Sequence, residues 1–124
     1  MLADARIYPT IRVTDLERSK HFYGETLGLK PKSIGVTGHT AFEVGDGFLV
    51  IYEGPPSKAE HTLCAFDVKD LEEVVRDLRS RGVVFEEYDF PGLKTVNGIA
   101  DMGGERSAWF KDPDGNILAV GQLA

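Results

Sequence analysis

Apolar and polar residues along this chain follow two different periods, and the change from one to the other occurs twice in the same order. From Ile7 to Val13 the alternation is close to every second residue, which predicts an extended strand. From Leu16 the spacing becomes helical, with Leu16, Phe22, Tyr23 and Leu27 on one stripe and Glu17, Arg18 and Lys20 on the other. The same change follows Leu63 to Val68, where Leu71, Val74, Val75 and Leu78 oppose Glu72, Arg76 and Arg79. Asp15 and Asp70 precede the two predicted helices, where a carboxylate can accept the unpaired amide hydrogens of a first turn. Gly28 and Gly82 follow them, where the chain leaves a helix through a left-handed conformation that costs glycine little.

Three extended segments follow each helix. In the first half they are Lys32 to Val36, Thr40 to Val44 and Phe48 to Glu53, separated by the Gly35 to Gly38 stretch and by Gly45-Asp46-Gly47. In the second they are Val83 to Tyr88, Arg106 to Phe110 and Ile117 to Leu123. The last two are joined by Asp112-Pro113-Asp114-Gly115-Asn116, in which Pro113 presets one backbone angle and Gly115 or Asn116 supplies a positive one. The chain therefore reads as a duplication: module 1 over 5–54, a proline-marked linker over 55–60 and module 2 over 61–124. The predicted fold is α+β, two βαβββ modules whose mixed sheets form a partly closed cup with helices outside and a pocket inside. A ferredoxin-like arrangement is the alternative.

At 124 residues the chain has the length of one domain, and 42% hydrophobic with 27% charged residues is ordinary globular composition. A formal charge of −6 without any basic run speaks against nucleic acid as a partner. No apolar stretch reaches the ~20 residues that span a bilayer, and Met1 to Arg6 lacks the pattern of a secretion signal, so the expectation is a cytoplasmic protein with no membrane partner. The single cysteine, Cys64, falls in the alternation of a predicted strand and reads as a packing residue.

Three ordered motifs carry a resemblance to a known family. Thr10-Ile11-Arg12-Val13-Thr14-Asp15-Leu16-Glu17-Arg18-Ser19, followed by Phe22-Tyr23 and Leu27-Gly28-Leu29, resembles the opening of vicinal oxygen chelate proteins, the glyoxalase, bleomycin-resistance and dioxygenase group. Ala65-Phe66-Asp67-Val68-Lys69-Asp70-Leu71 resembles the start of their second module. Trp109-Phe110-Lys111-Asp112-Pro113-Asp114-Gly115-Asn116 resembles their closing hairpin. The resemblance implies paired modules, a homodimer, and either metal-dependent isomerases, lyases, dioxygenases and thiol transferases or proteins that sequester antibiotics in an apolar pocket.

It also implies where a metal would be held: one donor in the first strand of each module, seven residues before the capping aspartate, and one in each last strand. Those positions are Tyr8, Leu63, Ala119 and, by the internal repeat and to within one residue, Ile51. Leucine, isoleucine and alanine offer no donor, and neutral tyrosine is a rare ligand, so no metal and no cofactor are expected. By alternation, Tyr8, Thr10 and Arg12 should share the concave face with Leu49, Ile51 and Glu53, with Leu63, Ala65 and Asp67, and with Ile117, Ala119 and Gly121. Val50, Tyr52, Cys64, Phe66, Leu118 and Val120 should face the helices.

His21 and His39 read as solvated. His61 and Glu53 could contribute to a displaced metal site but lack a third donor. Arg12 could pair with Asp67 or hold an anion. The glycine-punctuated segment 86–105 could be a lid or a dimer arm, and Phe90 and Trp109 could wall the pocket. Gly45-Asp46-Gly47 is too short to cradle a phosphate. The expected function is metal-independent binding of an apolar or aromatic small molecule by Tyr8, Thr10, Arg12, Leu49, Ile51, Glu53, Leu63, Ala65, Phe90, Trp109 and Ala119. The alternative is a glyoxalase-like lyase or isomerase, metal-free or with a displaced metal.

Overall fold

A computed structural model describes residues 1–123, which form two compact units, one from Met1 to Lys58 and one from Ala59 onward. In the first unit a 3-10 turn, Leu2–Asp4, precedes strand β1 (Thr10–Val13), helix α1 (Leu16–His21) and a π-helical turn (Phe22–Thr26). Strands β2 (Lys30–Lys32), β3 (His39–Val44) and β4 (Gly47–Glu53) follow. The sheet order is β1-β4-β3-β2, with β1 parallel to β4 and the other pairs antiparallel. Asp15 caps α1 by accepting from the Arg18 amide at 3.1 Å, and Gly28 leaves the helical segment at φ +76°. The predicted strand from Lys32 to Val36 is displaced to Lys30–Lys32, because the glycine-bearing stretch beyond it turns, with Gly35 and Gly38 at positive φ. Pro31 is tolerated there because β2 is an edge strand.

The second unit comprises β5 (Thr62–Asp67), α2 (Leu71–Ser80), β6 (Asp89–Phe90), β7 (Leu93–Val96), β8 (Ile99–Asp101), β9 (Glu105–Lys111) and β10 (Ile117–Leu123). Its sheet order is β5-β10-β9-β8-β7-β6, with β5 parallel to β10. Asp70 caps α2 through the Glu73 amide at 3.1 Å, and Gly82 has φ +94°. The expected strand from Val83 to Tyr88 is reduced to a single bridge, Phe85 to Phe110. After it the Glu86 amide donates to the Trp109 carbonyl at 2.7 Å. The Tyr88 amide then turns to the Thr95 hydroxyl at 2.8 Å, drawing the chain away from β9. The segment 86–105 is thus no open loop: it folds into β6, β7 and β8, pinned where Glu87 accepts from the Thr95 hydroxyl and from the Gly98 amide, each at 2.7 Å.

Each sheet packs its helix against one face. In the first unit that face carries Ile11, Val13, Leu49 and Ile51, all at most 1% exposed, and Phe42, whose ring lies 6.2 Å from that of Tyr23 on the π-helical turn. In the second it carries Leu118, Val120, Ala108 and Phe110 beneath Leu71, Val75 and Leu78. The closing turn is built on Asp112, whose buried carboxylate accepts from the amides of Asp114 and Asn116 and from the Asn116 side chain, each at 2.9 Å. Among the described residues no helix is long and apolar enough to cross a membrane.

Candidate functional site

Each sheet has a second face, free of its helix, and strand register decides which side chains stand on it. In the first unit Thr10 pairs with Val50, Ile11 with Ile51 and Arg12 with Tyr52. Paired neighbours project to the same side, so the helix-free face carries Tyr8, Thr10, Arg12, Phe48, Val50 and Tyr52. This corrects the expectation for β4: Leu49 and Ile51 are core residues under α1, and Val50 and Tyr52 take the side assigned to them. Glu53 is also on the helix side, where its carboxylate accepts from the Leu16 amide at 3.0 Å and adds a second cap to α1. The alternation within β4 was sound, but its phase was set one residue off.

On that face Tyr8 stacks on Phe48 with ring centroids 4.6 Å apart, and Tyr52 stacks on His39 at 5.5 Å. Lys32 and Arg6 lie 5.0 and 5.7 Å from the centre of the Phe48 ring, close enough for cation–π attraction. Arg12 reaches the Pro56 carbonyl at 3.5 Å, and its side chain lies where a Cβ on Gly54 would stand, 2.7 Å from the Arg12 Cδ. Glycine at position 54 is therefore needed for Arg12 to lie as it does.

In the second unit register brings Ala65, Asp67, Ala119 and Gly121 to one face as expected, but pairs Ile117 with Thr62 and not with Leu63. Ala65 pairs with Ala119, which pairs in turn with Trp109, and Asp67 pairs with Gly121, which pairs with Ser107. Leu63 is the extra residue of a bulge, since Ile117 faces Thr62 while Leu118 faces Cys64. The helix-free face is thus apolar at its centre, with the half-buried Trp109 ring meeting Tyr88 edge-on at 5.7 Å and Tyr88 in turn lying 5.9 Å from Phe90. Burial, reinforced by the Glu86 carboxylate, pushes the Tyr88 hydroxyl above its ordinary pKa, so it stays a neutral hydrogen-bonding group. Cys64 is on the helix side and burial, with Asp112 nearby, pushes its thiol up to about 11, which suits a packing residue and not a nucleophile. The Asp67 carboxylate accepts from the Leu123 amide at 3.4 Å.

The four positions at which the family resemblance would place metal donors therefore hold Tyr8, Val50, Leu63 and Ala119, with Val50 in place of Ile51. Thr10 opposite Val50 corresponds to Ala65 opposite Ala119, each first residue standing five before its capping aspartate. Three of these side chains have no donor atom, so the set does not fit a bound metal. His61 Nδ1 is 3.2 Å from the Thr62 carbonyl and Glu53 is occupied in capping. Among the described residues no group of three or more His, Cys, Asp or Glu side chains is placed to hold a metal ion. Gln122 went unnoticed in the sequence: it accepts from the Leu71 amide at 2.9 Å and is the repeat counterpart of Glu53. Its signal was a polar residue three beyond Ala119, legible only once the β4 phase is known.

The family profile of the Glyoxalase/Bleomycin resistance protein/Dioxygenase superfamily matches residues 7–120. Among solved structures, a glyoxalase family protein from Bacillus anthracis is similar with a TM-score of 0.73 at 19% identity, covering 98% of this chain and 96% of that one. A glyoxalase/bleomycin resistance protein from Catenulispora acidiphila has a TM-score of 0.68 at 24% identity, covering 98% and 100%. The fosfomycin resistance protein FosX from Listeria monocytogenes has a TM-score of 0.70 at 17% identity, covering 98% and 92%. The curated proteins yield no match. With the duplicated βαβββ plan, the two helix-free faces and a profile match over nearly its whole length, this chain belongs to the glyoxalase/bleomycin resistance protein/dioxygenase superfamily.

Proposed function

We propose that this protein is a metal-independent binder of a small apolar or aromatic molecule, held on the helix-free face of the second unit with Trp109 as its aromatic wall. The observation that carries the reading is the chemistry of that face: Ala65 and Ala119 supply an apolar floor, Ala119 and the bulge residue Leu63 stand where the family pattern would supply donors, and a half-buried indole stands beside the floor. A planar ring placed against such a surface gains from area removed from water and from offset or edge-on contact with Trp109 and Tyr88. Ligand pockets combine mostly apolar walls with a few polar groups, and here Ser107 and Asp67 flank the apolar centre.

Trp109 is the only tryptophan, so its fluorescence reports on the site directly. Titration with a panel of aromatic acids, phenols and heterocycles is expected to give a saturable change for at least one class. Ala65→Glu, an exposed position on the same face, should weaken that binding by about tenfold through the cost of desolvating a carboxylate. Saturation by none of the panel, or an Ala65→Glu affinity equal to the parent, would contradict the reading. A stoichiometric divalent ion in protein purified without chelators would contradict its metal-independent half.

A further inference from the structure

On the opposite side of the second sheet, between α2 and the β7–β8 hairpin, lies a groove of about 710 Å3. Its walls carry four cations, Arg76, Arg79, Lys94 and Arg106, in a chain whose formal charge is −6. Two carboxylates also line it. Glu72 is committed to Arg106, with which it forms a close ion pair, and Asp101 accepts from the Gly103 amide at 3.1 Å. Among the described residues neither Arg76 nor Lys94 has a carboxylate within ion-pair distance, although Glu72 also attracts Arg76 at longer range. Arg79 is already positioned: its guanidinium lies 5.5 Å from the centre of the Phe85 ring, donates to the Asn97 carbonyl at 2.8 Å and is attracted by the Glu87 carboxylate. The floor between these charges is apolar, with Val75 buried, Ile99 half-buried and Val96 65% exposed.

We propose that this groove is a second binding site, separate from the Trp109 face, for a small organic dianion: two negative charges borne by phosphate or carboxylate oxygens, carried on an apolar stem. Four cations line the groove against two carboxylates, Glu72 acting on Arg106 and Arg76 and Asp101 on Arg106, while Glu87 acts on Arg79 from beside the groove; the remaining excess of positive charge favours the entry of an anion. Guanidinium forks match the paired oxygens of phosphate and carboxylate groups, and Lys94 adds a mobile point charge from the hairpin. Val96 and Ile99 give the stem a surface on which to leave water. Nothing here depends on the function assigned to the opposite face.

The test is a titration of the whole chain with phenyl phosphate, phthalate, inorganic phosphate and sodium chloride at matched ionic strength, followed by amide chemical shifts. The expected result is saturable shifts by phenyl phosphate or phthalate, concentrated at Val75 to Arg79 and Lys94 to Asn97. The ligand that saturates at the lower concentration identifies phosphate or carboxylate as the recognised group. A double variant, Arg76→Gln with Lys94→Gln, alters only exposed side chains and should weaken binding by about tenfold, the scale of two exposed charge contacts. Shifts that chloride reproduces, shifts centred on Trp109, or an unchanged affinity in the double variant would overturn the proposal. Inorganic phosphate binding as tightly as phenyl phosphate would overturn the organic stem.

Discussion

The two units run through the same plan with different residues. Asp15 and Asp70 cap their helices from the same place, and a second cap reaches back from the end of the last strand, Glu53 to Leu16 in one unit and Gln122 to Leu71 in the other. Tyr23 and Leu78 sit at the same helical position, and each carbonyl accepts an amide beyond the helix, from Leu29 and Val83 respectively. They part company afterwards. In the first unit β2 pairs with β3 over three residues; in the second the counterpart shrinks to the Phe85 bridge, and β9 spends its other end on β8 of the inserted hairpin. The lesson is that a duplicated fold preserves register and backbone caps, while its side chains, its edge and its outward chemistry are free to diverge.

The sharpest way to break this equivalence lies in the core. Leu49 pairs with Phe42 and Leu118 with Phe110, at matching places on the helix side of the two sheets, and both are at most 1% exposed. Leu49→Ala and Leu118→Ala should each cost about 2–5 kcal/mol, through lost transfer energy and the cavity left behind. Denaturant unfolding checks both. A loss at Leu49 below about 1 kcal/mol would return it to a solvent-facing or ligand-facing position and undo the register argument.

A smaller effect should separate the two hairpin turns that feed the last strands. Asp112 satisfies three donors from within a buried turn, whereas Asp46 stands exposed between Gly45 and Gly47. Asp112→Ala should destabilise by about 2–3 kcal/mol by stripping partners from buried amides, while Asp46→Ala should stay within about 0.5 kcal/mol. Equal losses in the two variants would mean that the turns are not as different as their hydrogen bonds make them.

Much of this was legible in the sequence because local chemistry fixed it. The caps Asp15 and Asp70, the glycines that end both helical segments and the Asp-Pro-Asp-Gly-Asn turn each have a mechanism acting within a few residues, and their spacing revealed the duplication. The first-strand faces rested on the family resemblance, which implies a donor position seven residues before each cap. What failed depended on distant pairing. The phase of β4 is set by its parallel partner β1, whose paired residues lie forty positions away in sequence, and a slip of one residue exchanges Leu49 and Ile51 for Val50 and Tyr52. The segment 86–105, which reads from sequence as a lid or a dimer arm, gives no strand signal because its strands are two to four residues long and glycine-rich at their turns, too short for a period to show. The cationic groove escaped notice for a related reason: Arg76 and Arg79 sit on the polar stripe of a helix and become neighbours of Lys94 and Arg106 only when the hairpin folds.

The inserted hairpin also gives the second unit a response to acid that is tied to one side chain. Hydrogen bonds from the Thr95 hydroxyl and the Gly98 amide hold the Glu87 carboxyl below its ordinary pKa of 4.5. A carboxylate whose folded pKa is depressed contributes stability that is fully present above its unfolded value and disappears as pH falls through the folded value. Glu87→Gln keeps the shape but removes the charge, so the parent should be the more stable protein at pH 6, and the gap should close as the pH is lowered below 4.5. Because Glu87 is exposed, the effect should be the smallest of those considered, and paired thermal unfolding curves from pH 6 to pH 3 would resolve it. Glu72, held down by Arg106, titrates in the same direction, so the comparison belongs in a Glu72→Gln background. A gap that persists unchanged at the lowest pH would show that Glu87 holds the hairpin by shape alone, and the distinctive acid sensitivity of the second unit would have to be given up.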